Sequence, residues 1–252
     1  MNNNLYLNIG KFFLVISIIA IGAVHIVSGH FPAGLMPVVA SLPAKQALAY
    51  LTGLLLIVAG LLVLIKKYAA YGAFLAALLY LLALLLIHVP KVLAEPKNPS
   101  EWAGFFEIIC IMGGTLILLG ATSKDSGTKL IKTGTYLFSI GLLVFGVQHY
   151  MYAQFVANLI PAWIPARLFW DYLVMVAFFA SAISFIIQRL THLAGALLGL
   201  MFLIWVLILH LPRVIASIHT EPEWTSLFVA LAFSGISFLI AGLAPTTRSK
   251  SQ

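Results

Sequence analysis

Apolar residues run through this chain in eight blocks of about 20 positions, each long enough to cross a bilayer as a helix. The blocks lie near residues 10–30, 46–65, 68–90, 102–121, 134–156, 168–187, 192–212 and 224–243. Polar residues gather at the joints. Lys66-Lys67 separates the second block from the third, and Arg189-Leu190-Thr191 separates the sixth from the seventh. Joints this short force antiparallel neighbours. The pattern predicts an all-α integral membrane protein with eight transmembrane helices.

The pattern also repeats. His88-Val89-Pro90-Lys91, followed by a polar loop and Glu101-Trp102, returns as His210-Leu211-Pro212-Arg213 and Glu223-Trp224, 122 residues later. Gly22-Ala23-Val24-His25 matches Gly146-Val147-Gln148-His149 at an offset of 124, and Leu35-Met36-Pro37 matches Leu159-Ile160-Pro161 at the same offset. Two residues are then lost, so that Pro43-Ala44-Lys45 matches Pro165-Ala166-Arg167 and Tyr50 matches Tyr172 at 122. Gly113 and Gly120 match Gly235 and Gly242. The chain therefore reads as a tandem duplication of four-helix bundles, residues 1–122 and 134–252, joined by a cytoplasmic linker at 123–133. An even number of helices per unit gives both units one orientation, with the pseudo-twofold axis along the membrane normal. Lys11, the first block and Ala40-Ser41-Leu42 mimic a signal peptide, but the block has a twin mid-chain, near Gly134–Phe155, which points to a retained helix.

Composition sharpens this picture. Hydrophobic residues make up 62% of the chain and charged residues 8%, against about 25% charged in soluble domains. The net charge of +7 does not indicate nucleic acid, because the bases sit between apolar blocks and form no surface stripe. Lys11, Lys66, Lys67, Lys124, Lys129, Lys132, Arg189, Arg248 and Lys250 fall on one side. Lys45, Lys91, Lys97, Arg167 and Arg213 fall on the other. This bias of nine to five places both termini in the cytoplasm. Every acid except Asp125 lies on or near the outer side. The single cysteine, Cys110, excludes an intramolecular disulfide and a CxxC redox pair, and with them a four-helix thiol oxidoreductase of the vitamin K epoxide reductase type.

The candidate ligand-binding residues are the repeated polar sets: His25, His88, Lys91, Glu101 and Trp102 in the first half, and His149, His210, Arg213, Glu223 and Trp224 in the second. Glu107, an unrepeated carboxylate inside the fourth block, joins them. Two readings stand for the histidines. A proline kink beside an imidazole and a cation suits a pocket; alternatively the proline ends the span, the imidazole bonds a neighbouring helix and the cation snorkels. Glu101 has Lys91 within reach across the loop, and Glu223 has Arg213. Asp171 stands four residues after Arg167 and reads as its structural partner. Glu107 has no local partner and would be protonated or paired with His25 or His88. No metal is expected, since no two histidines share a helix at i, i+3 or i, i+4. Bis-histidine haem would need facing rings and a slot, and is disfavoured. Gly195 and Gly199 form a GxxxG pair that permits close helix approach.

Gly22-Ala23-Val24-His25, Pro43-Ala44-Lys45 and Lys66-Lys67, with their counterparts Gly146-Val147-Gln148-His149, Pro165-Ala166-Arg167 and Arg189, resemble the DoxX-like membrane proteins. The resemblance covers essentially the whole chain as two fused units. It implies a bacterial inner-membrane protein linked to quinone or sulfur redox chemistry, since that family includes the small subunit of thiosulfate:quinone oxidoreductase. It transfers no catalytic residue, and the fusion departs from the family's usual single unit. The expectation is a binding module or complex subunit that holds a quinone or lipid at the outer clusters, in contact with the bilayer and a membrane or periplasmic redox partner. A quinone would sit in the first half, near His25, His88 and Glu107. The alternatives are a quinone- or haem-linked redox subunit and, third, a small-solute transporter.

Overall fold

The computed structural model describes residues 3–38, 42–123 and 127–244. Lys124, Asp125, Arg248 and Lys250, used above for orientation, lie outside them, as do Ala40 and Ser41. Among the described residues the chain forms nine helices, eight of them long and apolar enough to cross a membrane. They are α1 (Asn3–Ser28), α2 (Lys45–Leu64), α3 (Ala69–Ala94), α4 (Pro99–Thr122), α5 (Gly127–Met151), the short α6 (Ala153–Leu159), α7 (Arg167–Ile187), α8 (Thr191–Ala216) and α9 (Glu221–Leu243). The chain is thus an all-α membrane protein. The connection expected at 123–133 is shorter, because α5 already begins at Gly127.

Local chemistry explains the helix ends. The Asn98 side chain accepts a hydrogen bond from the Ser100 N–H at 3.0 Å, and Pro99 opens α4 where its missing N–H costs nothing. Glu221 and Glu223 occupy the first turn of α9, where the helix dipole favours them. Pro90 and Pro212 do not end their spans. Each follows one π-helical stretch, Leu84–His88 or Val206–His210, in which the residue before the proline bonds five positions back: Val89 N–H to Leu84 O, and Leu211 N–H to Val206 O. The widened turn accommodates the proline ring and the donor it lacks, and the helices run on to Ala94 and Ala216.

Packing joins the two halves. α1 lies along α9 and α4 lies along α5, while α4 and α9 touch each other at the centre. The remaining neighbours are α1 with α2, α2 with α3, α3 with α4, α5 with α7, α7 with α8 and α8 with α9. The main apolar core draws on both halves, from Leu14 and Ile18 through Ile111 to Phe233 and Leu239. Glycine permits the closest crossings. A Cβ on Gly235 would stand 2.6 Å from the Leu14 nitrogen, one on Gly242 2.6 Å from the Leu7 nitrogen, and one on Gly113 2.7 Å from the Gly134 carbonyl oxygen. Gly195 and Gly199 meet α9 in the same way, at Ser237 and Phe238, so this GxxxG pair is spent inside the chain. Asn3 Nδ2 donates to Ala244 O at 3.3 Å, placing the beginning of α1 and the end of α9 side by side.

Candidate functional site

The repeated histidines gather at the end of the bundle opposite Asn3 and Ala244, and the two halves use them differently. In the first half the connection after α1 folds inward. Leu35 and Met36 are buried in the core, and His88 Nε2 donates to the Leu35 carbonyl at 2.9 Å. His25 turns Nδ1 back to its own helix, donating to Ile21 O at 2.8 Å, and its ring meets Phe31 edge-on. Leu35 and Met36 share the core with Ile21, Leu56, Tyr80 and Ile111, one from each helix of this half and all fully buried, which make its floor.

In the second half the same place is a cavity of about 490 Å³. The residues matching that floor are Phe145, Phe178, Phe202 and Phe233. They form a closed ring of four aromatic contacts with centroid distances of 6.4, 5.6, 5.4 and 5.9 Å. The connection from His149 to Pro165 is two residues shorter than that from His25 to Pro43. It winds into α6, and no backbone carbonyl from it reaches His210 among the described residues. Polar groups border the cavity above the aromatic ring: Glu107, Gln148, His149, Asp171, His210, Thr225 and Ser226.

His149 and Asp171 are the organised pair. His149 Nδ1 donates to Asp171 Oδ1 at 2.6 Å, and the Asp171 side chain is completely buried. The bond fixes the ring and leaves Nε2 without a hydrogen bond among the described residues. The expected Arg167–Asp171 pair does not form among the described residues, because Asp171 turns inward toward α5 while Arg167 stays at the helix end. Asp171 Oδ2 and His210 Nδ1 are buried without a partner among the described residues, as are His25 Nε2 and His88 Nδ1 in the first half. Buried polar atoms of this kind are ordinarily satisfied, and of these residues only Asp171 and His210 border the cavity, where a bound molecule can reach them.

Glu107 belongs to α4, yet it borders the cavity of the second half. It makes no ion pair among the described residues. The expected grouping of Glu107 with His25 and His88 is therefore not formed: both of those imidazoles are held by carbonyls, and the carboxylate faces the other side. Gly34, from the connection after α1, also borders this cavity, and the neighbouring Ala33 N–H donates to Glu221 Oε2 at 3.2 Å. The site is built from both halves.

The remaining candidate residues are engaged in fixing loops. Lys91 Nζ donates to Glu101 Oε1 at 3.0 Å. Arg213 grips both oxygens of Glu223, Nη2 to Oε1 at 2.9 Å and Nε within 2.9 Å of Oε2. Both pairs span their loops as the spacing suggests. Trp102 Nε1 donates to Pro96 O at 2.9 Å and Trp224 Nε1 to Ile218 O at 2.8 Å, and each indole stacks on a phenylalanine one turn along. None of these six side chains borders the cavity, which has no lysine or arginine in its lining among the described residues. No group of three His, Cys, Asp or Glu side chains is placed to hold a metal ion among the described residues.

Sequence reasoning missed Asp171, Gln148 and the phenylalanine ring. A signal for Asp171 was present: like Glu107 it is an acid without a twin, opposite Ala49. Comparison with protein-family models, with curated proteins and with solved structures finds no match to this chain.

Proposed function

We propose that this chain is a membrane binding protein, acting as a binding module or complex subunit, that holds a small ring-bearing molecule of the quinone–quinol class in the cavity between α4, α5, α7, α8 and α9. One observation carries the reading: a single cavity joins an aromatic ring of phenylalanines to the His149–Asp171 pair and a lone carboxylate, Glu107. The aromatic floor suits a flat apolar ring. His149, oriented through Nδ1, presents its other nitrogen to accept the proton of a ring hydroxyl, a division of labour familiar from buried histidine–carboxylate pairs. An anionic lipid headgroup is the poorer fit, since Lys91 and Arg213 are already matched to Glu101 and Glu223. The DoxX-like resemblance, with its implied link to quinone chemistry, supports the same class. The same resemblance implies a bacterial inner membrane, and the bias of basic residues puts Asn3 and Ala244 on its cytoplasmic side, so that the cavity opens toward the outer leaflet.

The test is titration of the purified protein in lipid nanodiscs with a short-tailed quinone, read by quenching of tryptophan fluorescence; Trp205 borders the cavity. Asp171→Asn and Glu107→Gln are expected to weaken binding by about tenfold or more, a loss of the order of one charge-assisted hydrogen bond. Lys91→Gln is expected to leave it unchanged. Absence of saturable quenching, or equal losses from all three changes, rejects the reading.

A further inference from the structure

Residues 151–165, which connect α5 to α7, include no Asp, Glu, Lys, Arg or His. Chain that runs through water ordinarily carries such groups, whereas aromatic and apolar side chains at the end of a span mark the membrane interface. Here they are turned outward. Trp163 is 72% exposed and Phe155 67%, flanked by exposed Tyr150, Met151 and Phe169. α6 therefore has the character of a helix lying in the interface, with Ala153 and Ala157 packed beneath it.

The same element walls the cavity. Phe155, Val156, Leu159 and Ile160 all border it. Phe155 and Leu159 do so while remaining 67% and 42% exposed. The cavity therefore reaches the exposed connection that carries Trp163. The matching stretch of the first half behaves oppositely: Leu35 and Met36 sit in the core, and a histidine clamps the Leu35 carbonyl.

We propose that the cavity is filled from the membrane rather than from water. The ligand passes beneath α6, its ring settles among His149, Asp171 and Glu107, and a long apolar tail remains in the bilayer beside Phe155 and Leu159. This rests on the quinone-class reading and narrows it to tailed, lipid-soluble members of that class. The volume agrees. A cavity of about 490 Å³ lies in the range of small-molecule pockets; it accommodates a substituted ring and obliges a long isoprenoid chain to lie outside.

The probe is a quinone with a photoreactive diazirine on its tail, a few carbons from the ring, irradiated with the protein in nanodiscs and mapped by mass spectrometry. Labelling is expected on α6 and on the residues up to Trp163, and excess unlabelled tailed quinone should compete it away. Asp171→Asn should reduce the competed labelling about tenfold, in line with the lost ring contact. A second variant, Leu159→Arg, places a charge in the passage. It should slow loading of a membrane-dissolved quinone at least about tenfold more than it slows loading of a tailless, water-soluble quinone. Competed labelling confined to residues 217–220 or to α1–α3 overturns the route while keeping the site. Equal loading rates in Leu159→Arg and the native protein overturn it as well. Absence of any competed labelling rejects the ligand class and the route together.

Discussion

At the scale of single residues, the two halves assign different tasks to matching histidines. His88 holds a backbone carbonyl, so His88→Ala leaves Leu35 O unpaired in the core and opens a void. The expected cost is about 1–3 kcal/mol in thermal or chemical unfolding in detergent. His210 borders a cavity that already exists, and His210→Ala is expected to cost less than about 1 kcal/mol. An equal cost for both would contradict the division of roles. A double-mutant cycle on His149 and Asp171 should give a coupling of about 1 kcal/mol or more, and the Arg167–Asp171 cycle should give nothing beyond about 0.3 kcal/mol. That contrast also shows where sequence reading stops. Lys91–Glu101 and Arg213–Glu223 were legible because ten residues and one loop separate the partners. Arg167 was favoured for Asp171 because i, i+4 is a local rule. The true partner lies on another helix, and only the crossing of α5 and α7 brings it near.

At the scale of elements, the spans were legible because length and apolarity alone specify a crossing helix. Their ends were less so. α1 and α5 start about a turn or two before their densest apolar stretch, and the sequence left open whether the two prolines kink or end their spans, which a π-helical turn settles in favour of continuing. The repeated glycines had no role assigned in the sequence; the structure puts them at the closest helix crossings. Gly235→Leu should therefore drive side-chain atoms into the backbone of α1, costing upwards of ~2 kcal/mol or preventing assembly. Gly34→Ala is the matched control, since a Cβ there meets nothing within 4 Å, and its effect should stay within about 0.5 kcal/mol. Size-exclusion profiles and melting in detergent separate the two. The connection after α1 was illegible for another reason. Its two additional residues were visible, but whether such a loop packs inward or lies flat depends on the cavity it meets.

At the scale of the whole molecule, symmetry of sequence coexists with asymmetry of content. Ile21, Leu56, Tyr80 and Ile111 fill one side, and Phe145, Phe178, Phe202 and Phe233 line a space on the other. The sequence placed the ligand in the first half because Glu107 belongs to it; the fold carries that carboxylate across the α4–α9 contact to the second. Orientation is open to direct measurement. With Cys110 replaced by alanine, an impermeant maleimide applied to intact cells should label Asn98→Cys, in the loop before α4, and spare Lys66→Cys, in the turn between α2 and α3. The reverse pattern would place the cavity on the cytoplasmic face.

The pairing of α1 with α9 also sets when the fold can be completed during synthesis. Among the eight described spans, α1 leaves the ribosome before the other seven, and α9, which packs along it, leaves after them. Through most of translation α1 therefore waits in the bilayer with only α2 against it, and Gly10 and its neighbours stay uncovered until α9 arrives. Synthesis of residues 1–122 alone should yield an α1 without its companion, prone to capture by quality control. A circular permutant that links the ends near Asn3 and Ala244 and opens between Ser123 and Gly127 would instead make the two helices consecutive, and it should assemble without that delay.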